Sequence, residues 1–224
     1  ILERNNLGIA IGNDPVLFIA GGHNNDGTKQ SQLATQPLID GIAEMANHVS
    51  AFAVASHFAT RNPEHEVFAK DLIRKNTSLP VSCSYELSNS LGGPKRALTA
   101  LLNARLIALL DQLITATETQ MLQIGLRCPL MVVKGDGSLL PAALARERPV
   151  ETILSGPAAS LSGAAFLADA KTAIVADIGG TTTDIAILHD GAPRLSPDGA
   201  QIGGWQTMVE AAKIKTSGLG GDSE

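Results

Sequence analysis

The sequence predicts an α/β fold of strands joined by crossover helices. Short apolar runs of strand length recur along the chain, and most are followed by a segment with apolar residues at helical spacing. Of the 224 residues, 44% are hydrophobic and only 17% charged, enough to bury one large core or two small ones. Alternating strand and helix patterns bury such a core as layers connected by crossover helices.

In chain order, "VLFIAGG" (16–22) reads as a strand that runs into the polar turn "HNNDGTKQ". A helix follows, because Leu33, Ile39, Ile42, Ala46 and Val49 are spaced mainly by three or four. "SAFAVAS" (50–56) has strand length and is expected to be buried on both faces, as in a parallel sheet. "NPEHEVFAKDLIRK" starts the next helix. There Asn62 can cap, Pro63 suits the first position, Glu64 and Glu66 sit at the positive end, and Arg74 and Lys75 at the negative end.

"LPVSCSYEL" reads as the following strand, and the longest helix runs from Pro94 to about Gly125. Leu98, Leu101, Leu102, Arg105, Leu109, Gln112 and Leu113 mark its mostly apolar stripe. "PLMVVKGDGSLLP" is a strand and turn, and "SGPAASLSGAAFLADA" opens a helix whose small residues let it lie close to a sheet.

The segment "IVADIGGTTTDIAIL" (174–188) carries the chemistry. Its apolar positions alternate on either side of a tight turn, so two strands form a hairpin. Gly179 and Gly180 permit positive φ and bring bare backbone N–H groups close to whatever lies above the turn. Such amides form a nest for an anion. Thr181, Thr182 and Thr183 add hydroxyls, and Asp177 at the strand end is placed to hold a hydrated metal or a water beside the same anion. The segment thus has the parts of a phosphate-binding hairpin with a carboxylate for magnesium. A second strand follows the glycines, unlike the P-loop and the dinucleotide turn, where a helix does. A plain hairpin with strand-favouring threonines and a turn-capping aspartate is the simpler alternative.

Composition narrows the partners. A formal net charge of -5 and 3% aromatics leave no basic or base-stacking footprint, which argues against nucleic acid. Cys83 and Cys128 lack metal or redox spacing and read as reduced core residues. With no run of about eighteen apolar residues and no basic, then apolar, start, a cytoplasmic protein away from membranes is expected. The opening on Ile1 and the glycine-rich close suggest a piece of a longer chain.

Other motifs carry less. "GHNNDGTK" has the outer glycines of a P-loop but reverses Thr28 and Lys29, so a polar turn is favoured. His48, His57 and His65 lie on different elements and do not spell a zinc site, although His57 follows a strand at the end where α/β sheets bind ligands. Lys95 and Arg96 in "GGPKR" suit a solvated helix start, and Asp136 in "KGDGSLLP" fits a type I′ turn or a loop near a cleft. No G-x-S-x-G elbow supports a serine triad.

"DIGGTTTD" resembles a phosphate loop of the actin, hexokinase and Hsp70 superfamily of ATPases. With "SGPAAS" upstream and "TSGLGG" downstream, the chain resembles the hydantoinase A and 5-oxoprolinase family. "SHFATRNPEHE" and "ALLNARLIALLDQLI" resemble segments of that family in the same order.

The resemblance implies ribonuclease H-like sheets flanked by helices, with residues 1–90 the remainder of an N-terminal α/β half. Residues 91–224 would begin a second half that contains the hairpin. It implies ATP-dependent opening of a cyclic amide such as a hydantoin or 5-oxoproline, with ATP and Mg²⁺ as cofactors and a second subunit as a possible partner. Phosphorylation of the amide oxygen is one route, since an unactivated lactam is a poor electrophile with a poor leaving group. By carry-over, Gly179, Gly180 and Thr181 hold a phosphate through their amides, and Thr182 and Thr183 add hydroxyl contacts. Asp177 positions magnesium or water, and Asp184 orients the turn or the nucleophile. Gly218, Gly220 and Gly221 of the second glycine turn would add further contacts to the nucleotide. A sugar or small-acid kinase of the same superfamily, or a non-catalytic nucleotide-responsive scaffold, are the alternatives.

Two departures stand out. No second "GGT" followed by an aspartate occurs in the chain, and the second glycine turn continues into Asp222, Ser223 and Glu224, where the family resembles "GAGGGS". An acid beside a phosphate turn is unfavourable unless a metal intervenes.

Overall fold

The structure is a computed structural model that describes residue 3 and residues 6–223, so Ile1 and Glu224 lie outside the described residues. The chain forms α1 (Leu7–Ile11), α2 (Thr35–Met45), β1 (Phe52–Val54), α3 (Glu64–Asn76), β2 (Val81–Cys83), α4 (Ser84–Leu87) and α5 (Gly93–Gln123). There follow β3 (Met131–Val133), β4 (Leu139–Pro141), α6 (Ala142–Glu147), a 3-10 turn at Pro149–Thr152, α7 (Ser155–Ala168), β5 (Ala173–Ile178) and β6 (Thr183–His189). The short strands β7 (Ala192–Pro193), β8 (Gln201–Ile202) and β9 (Trp205–Gln206) precede β10 (Ile214–Ser217). The fold class is α/β, as expected. The chain divides into two compact units. Unit 1 comprises Ile1–Thr117, Arg146–Val150 and Gln201–Met208, and unit 2 comprises Glu118–Ala145, Glu151–Ala200 and Val209–Glu224.

In unit 1, β1 and β2 pair in parallel, from Phe52 opposite Val81 to Val54 opposite Cys83, and α3 is the crossover between them. The apolar faces of α2 and α3 supply Leu38, Ile42, Ala69 and Ile73, which pack with Val81 and Cys83. Burial pushes the Cys83 thiol pKa well above its ordinary range, as suits a core cysteine. The helix starts one residue later than predicted, with Pro63 rather than Asn62 at the N-cap, and Asn62 Oδ1 accepts from the Glu64 amide at 3.0 Å from just outside it.

Several expectations are corrected. Val16–Ala20 forms no strand. An apolar run becomes a strand only with a neighbour to share its ladder. This one instead packs Leu17 against Gly41 of α2 and enters a loop at Gly21 and Gly22, both at positive φ. β1 is half-buried rather than buried on both faces, because a cavity of about 720 Å³, lined by Leu17, Ile19, Phe52 and Val54 among others, lies beside it. The stripe on α5 is buried at Leu98 but exposed at Leu109 and Leu113.

Among the described residues α5 is also the one helix long and apolar enough to cross a membrane. It nonetheless buries Arg96, Thr99 and Asn103, all hydrogen-bonded, as the core helix of a folded domain does.

Unit 2 is built on an antiparallel sheet in the order β10-β6-β5, with β7 pairing β6. The small residues of α7 do what their spacing predicts: Ala158 and Leu161 pack on Ala186, Leu188 and Ala212. β3 and β4 form a separate hairpin across "KGDGS". Only Gly137 in that turn has positive φ, at 88°, so it is a type I turn with a following left-handed residue rather than type I′. Asp136 accepts from the Ser138 amide and hydroxyl, and Lys134 bridges Asp136 and Glu151. Burial opposes the Asp136 charge, but Ser138 and Lys134 outweigh it and keep its carboxyl below the usual range. This loop is thus a saturated structural turn. Cys128 is exposed, not a core residue as expected.

Candidate functional site

The hairpin of unit 2 forms in the predicted register, with Ile174 opposite Ile187 and Ile178 opposite Thr183. One consequence was not visible in the spacing: Asp177 pairs directly with Asp184, and Asp184 in turn with Thr216 of β10. The two aspartates therefore lie side by side on one rung, where like charges oppose each other unless a cation or donor intervenes. Thr216 Oγ1 supplies one donor, to Asp184 Oδ1 at 2.5 Å. Asp177 is exposed, and its carboxylate accepts no hydrogen bond among the described residues.

Two glycine turns leave the same end of this sheet and dock together. The Gly221 amide donates to Gly179 O at 2.9 Å and the Asp222 amide to Gly180 O at 2.8 Å. Thr183 Oγ1 donates to Leu219 O at 2.6 Å, and the Gly220 amide donates to Ser223 Oγ. A Cβ on Gly220 would overlap the Gly180 carbonyl, and one on Gly180 would stand 2.6 Å from Asp222 Oδ2.

The glycines are thus required for close approach. Neither Gly179 nor Gly180 adopts positive φ, which corrects the reason given for them from the sequence. The Gly179 amide is spent on Thr182 O, whereas those of Gly180, Thr181 and Thr182 make no hydrogen bond among the described residues. Three free amides on an exposed turn, with hydroxyls and carboxylates beside them, fit a phosphate that carries a divalent cation. No cluster of three His, Cys, Asp or Glu preformed for a metal exists among the described residues, so Mg²⁺ would depend on phosphate and water ligands as well as on carboxylates.

The hairpin brings together Asp177, Gly179, Gly180, Thr181, Thr182, Thr183 and Asp184, and the docking adds Gly220 and Gly221. Gly218 meets nothing within 4 Å of an added Cβ and is not tightly packed. Sequence reasoning missed Thr216 and the placement of Asp222. A threonine two residues before Gly218, on a strand pairing with the hairpin, was the available signal for the first.

Unit 1 holds the remaining polar groups. His48 is exposed and apart, and the "GHNNDGTK" loop is a polar turn in which Asp26 Oδ1 accepts from the Thr28 amide and hydroxyl. His65 meets His23, unnoticed in the sequence, with ring centroids 4.4 Å apart, and His65 Nδ1 accepts from the Gly22 amide at 2.9 Å. His23 is fully buried and neither ring nitrogen has a hydrogen-bond partner among the described residues. Burial, then His23, holds the His65 pKa below its ordinary value. His57 is exposed, and its Nδ1 lies 3.3 Å from Gln30 Oε1.

Arg96 is buried rather than solvated, donating to Ser56 O and Ser84 Oγ beside the wholly buried Glu66. Burial raises the Glu66 pKa even though Ser84, Ser56, Tyr85 and Arg96 favour its charge.

The chain is 28% identical over 206 residues to the caprolactamase alpha subunit of Pseudomonas jessenii, 89% of this chain and 29% of that one. It is 26% identical over 182 residues to the acetophenone carboxylase gamma subunit of Aromatoleum aromaticum, 77% of this chain and 25% of that one. The chain therefore spans less than a third of the length of these relatives. In fold it is similar to the ATP-dependent caprolactamase of Pseudomonas jessenii, with TM-score 0.78 and 24% identity over 95% of this chain and 34% of the other. The nucleotide-free acetone carboxylase structure is similar with TM-score 0.72 and 19% identity, over 97% of this chain and 33% of that one. These likenesses show that the chain shares the α/β fold of those two proteins. The hydantoinase/oxoprolinase family model matches residues 96–224, more than half of the chain and including both glycine turns, and the chain belongs to that family.

Proposed function

We propose that this chain carries part of the nucleotide site of an enzyme that couples ATP hydrolysis to opening a cyclic amide of the hydantoin or 5-oxoproline type. The observation that carries the reading is the sheet end of unit 2. There the free amides of Gly180, Thr181 and Thr182 project from a turn locked by Gly220 and Gly221, beside the paired carboxylates Asp177 and Asp184. Bound Mg–ATP would supply the phosphoryl group that activates the amide oxygen. The chain's own part is positioning and charge stabilisation, on which phosphoryl transfer mainly depends.

The three amides orient phosphate oxygens and cost no reorganisation, since the docked turns already hold them. Asp177, with no internal partner, is free to take a hydrated magnesium ion or a water. Asp184, bonded to Thr216, holds its rung in place and positions the turn. The subunit names of the relatives support an assembly with a second chain, and a cytoplasmic setting accords with the proposed cofactors.

ATP-dependent carboxylation is a second reading, favoured by the carboxylases among the similar proteins. The test is calorimetric titration of the protein with Mg–ATP beside Asp177→Asn, followed by ADP release on a panel of lactams, hydantoins and ketones with and without bicarbonate. Loss of binding by roughly tenfold or more in the variant, and bicarbonate-independent turnover of a lactam, are expected. Bicarbonate-dependent turnover of a ketone would replace the first reading with the second, and undiminished binding in Asp177→Asn would remove Asp177 from the site.

A further inference from the structure

We infer that Asp222 makes the phosphate turn selective, admitting a phosphate accompanied by a divalent cation and rejecting a bare one; this rests on the nucleotide reading above. The backbone of Asp222 docks the second glycine turn, its amide donating to Gly180 O at 2.8 Å. Its side chain takes no part in that docking. Oδ2 stands 2.6 Å from where a Gly180 Cβ would be, directly over the turn, and the carboxylate accepts no hydrogen bond among the described residues.

A group that is not needed to hold the turn thus lies against Gly180, one of the three residues of the turn with a free amide, and it is anionic. Asp177 and Asp184 add two more carboxylates at the same sheet end. Among the described residues no lysine or arginine pairs with any of the three. Lys215, one position from Thr216 on β10, lies opposite Ile185 rather than an aspartate.

The turn therefore combines donors for an anion with a local field that repels one. An ionised carboxylate is acceptor-only and cannot donate to a phosphate oxygen, so the two can approach only across a cation. A hydrated divalent ion bound with the phosphate would resolve the conflict, with the Asp222 carboxylate among the groups that would hold it. At separations of a few ångströms near a protein surface, repulsion of this kind disfavours the metal-free anion by about tenfold or more. Where a glycine stands in place of Asp222, the same amides would lack this discrimination.

The test is calorimetric titration of the protein with ATP in excess Mg²⁺ and with ATP in EDTA, for the parent, Asp222→Asn and Asp222→Gly. Thermal melts of each should coincide with the parent, because the docking bond belongs to the backbone. The expected result is that both variants gain roughly tenfold in affinity for metal-free ATP while Mg–ATP affinity stays level or falls. A preference for Mg–ATP that is unchanged in both variants overturns the inference and leaves the nucleotide reading standing. Failure of the parent to bind either form of ATP overturns the nucleotide reading, and the inference with it.

Discussion

In unit 1 the Glu66 carboxylate is fully buried and accepts hydrogen bonds from the Ser56 amide, the Ser84 hydroxyl and the Tyr85 amide, with Arg96 beside it. In unit 2 the Asp177 and Asp222 carboxylates lie at the surface and accept none among the described residues. Both regions concentrate polar side chains at the end of a strand, yet they spend them differently. A carboxylate whose two oxygens both accept hydrogen bonds inside the protein fixes backbone: Glu66 holds the Ser56 amide and Arg96 holds the Ser56 carbonyl, so together they set the exit from β1. A carboxylate left open beside free amides has its partner still to come. Saturation, more than the presence of charge, separates the two roles.

The largest effect that would sharpen this contrast is expected at Arg96. Replacing it with Leu removes the cation from the buried Glu66 and should destabilise unit 1 by about 3–5 kcal/mol, measured by urea unfolding. Adding Glu66→Leu should recover much of the loss, because the cost lies in the stranded charge. If Arg96→Leu unfolds no more easily than the parent, the pair is not the structural lock described.

In unit 2 the counterpart is Gly220→Ala. The added methyl would overlap the Gly180 carbonyl and force the two turns apart, at a cost of roughly 1–3 kcal/mol in a thermal melt. The larger consequence should be loss of Mg–ATP binding, since the free amides would no longer be held in place. Gly218→Ala, with nothing near the added carbon, is the control and should change neither readout. Equal behaviour of the two variants would break the claim that docking shapes the site.

How much of this was legible beforehand follows from range in sequence. The hairpin could be read because its alternation, glycines and acids all fall within residues 174–188. Its register, which sets Asp177 opposite Asp184, depends on where the turn closes and came only with the assembled ladder. The small-residue face of α7 was equally local. What could not be read joins distant segments: Arg96 reaches Ser56 across forty positions, and Gly22 reaches His65 across forty-three. "GGPKR" looks like a solvated helix start until the fold turns Arg96 inward. Likewise "VLFIAGG" has strand composition but no adjacent strand to complete a ladder, a fact that only the assembled sheet can supply.

The His23–His65 pair tests the same distinction by pH and should show the smallest effect. His65 accepts the Gly22 amide through Nδ1, which it can do only while that nitrogen is unprotonated. The charged groups around it are Lys29, which with His23 lowers its pKa further, and Glu64, which raises it; Lys29 and Glu64 also pair with each other at 2.6 Å. Burial leads, so the folded pKa lies below the ordinary 6.5. The unfolded chain then takes up a proton on His65 before the folded one does. The stability contributed is therefore full above pH 6.5 and declines as the pH falls from there towards the folded pKa. Urea midpoints of the parent should drop over that window, with the amide exchange of Gly22 rising in step. In His65→Gln, where the side-chain oxygen keeps the acceptor and nothing titrates, the decline should flatten. A parent and variant with parallel pH profiles would show that the tilted histidine pair is insulated from solvent and contributes only packing.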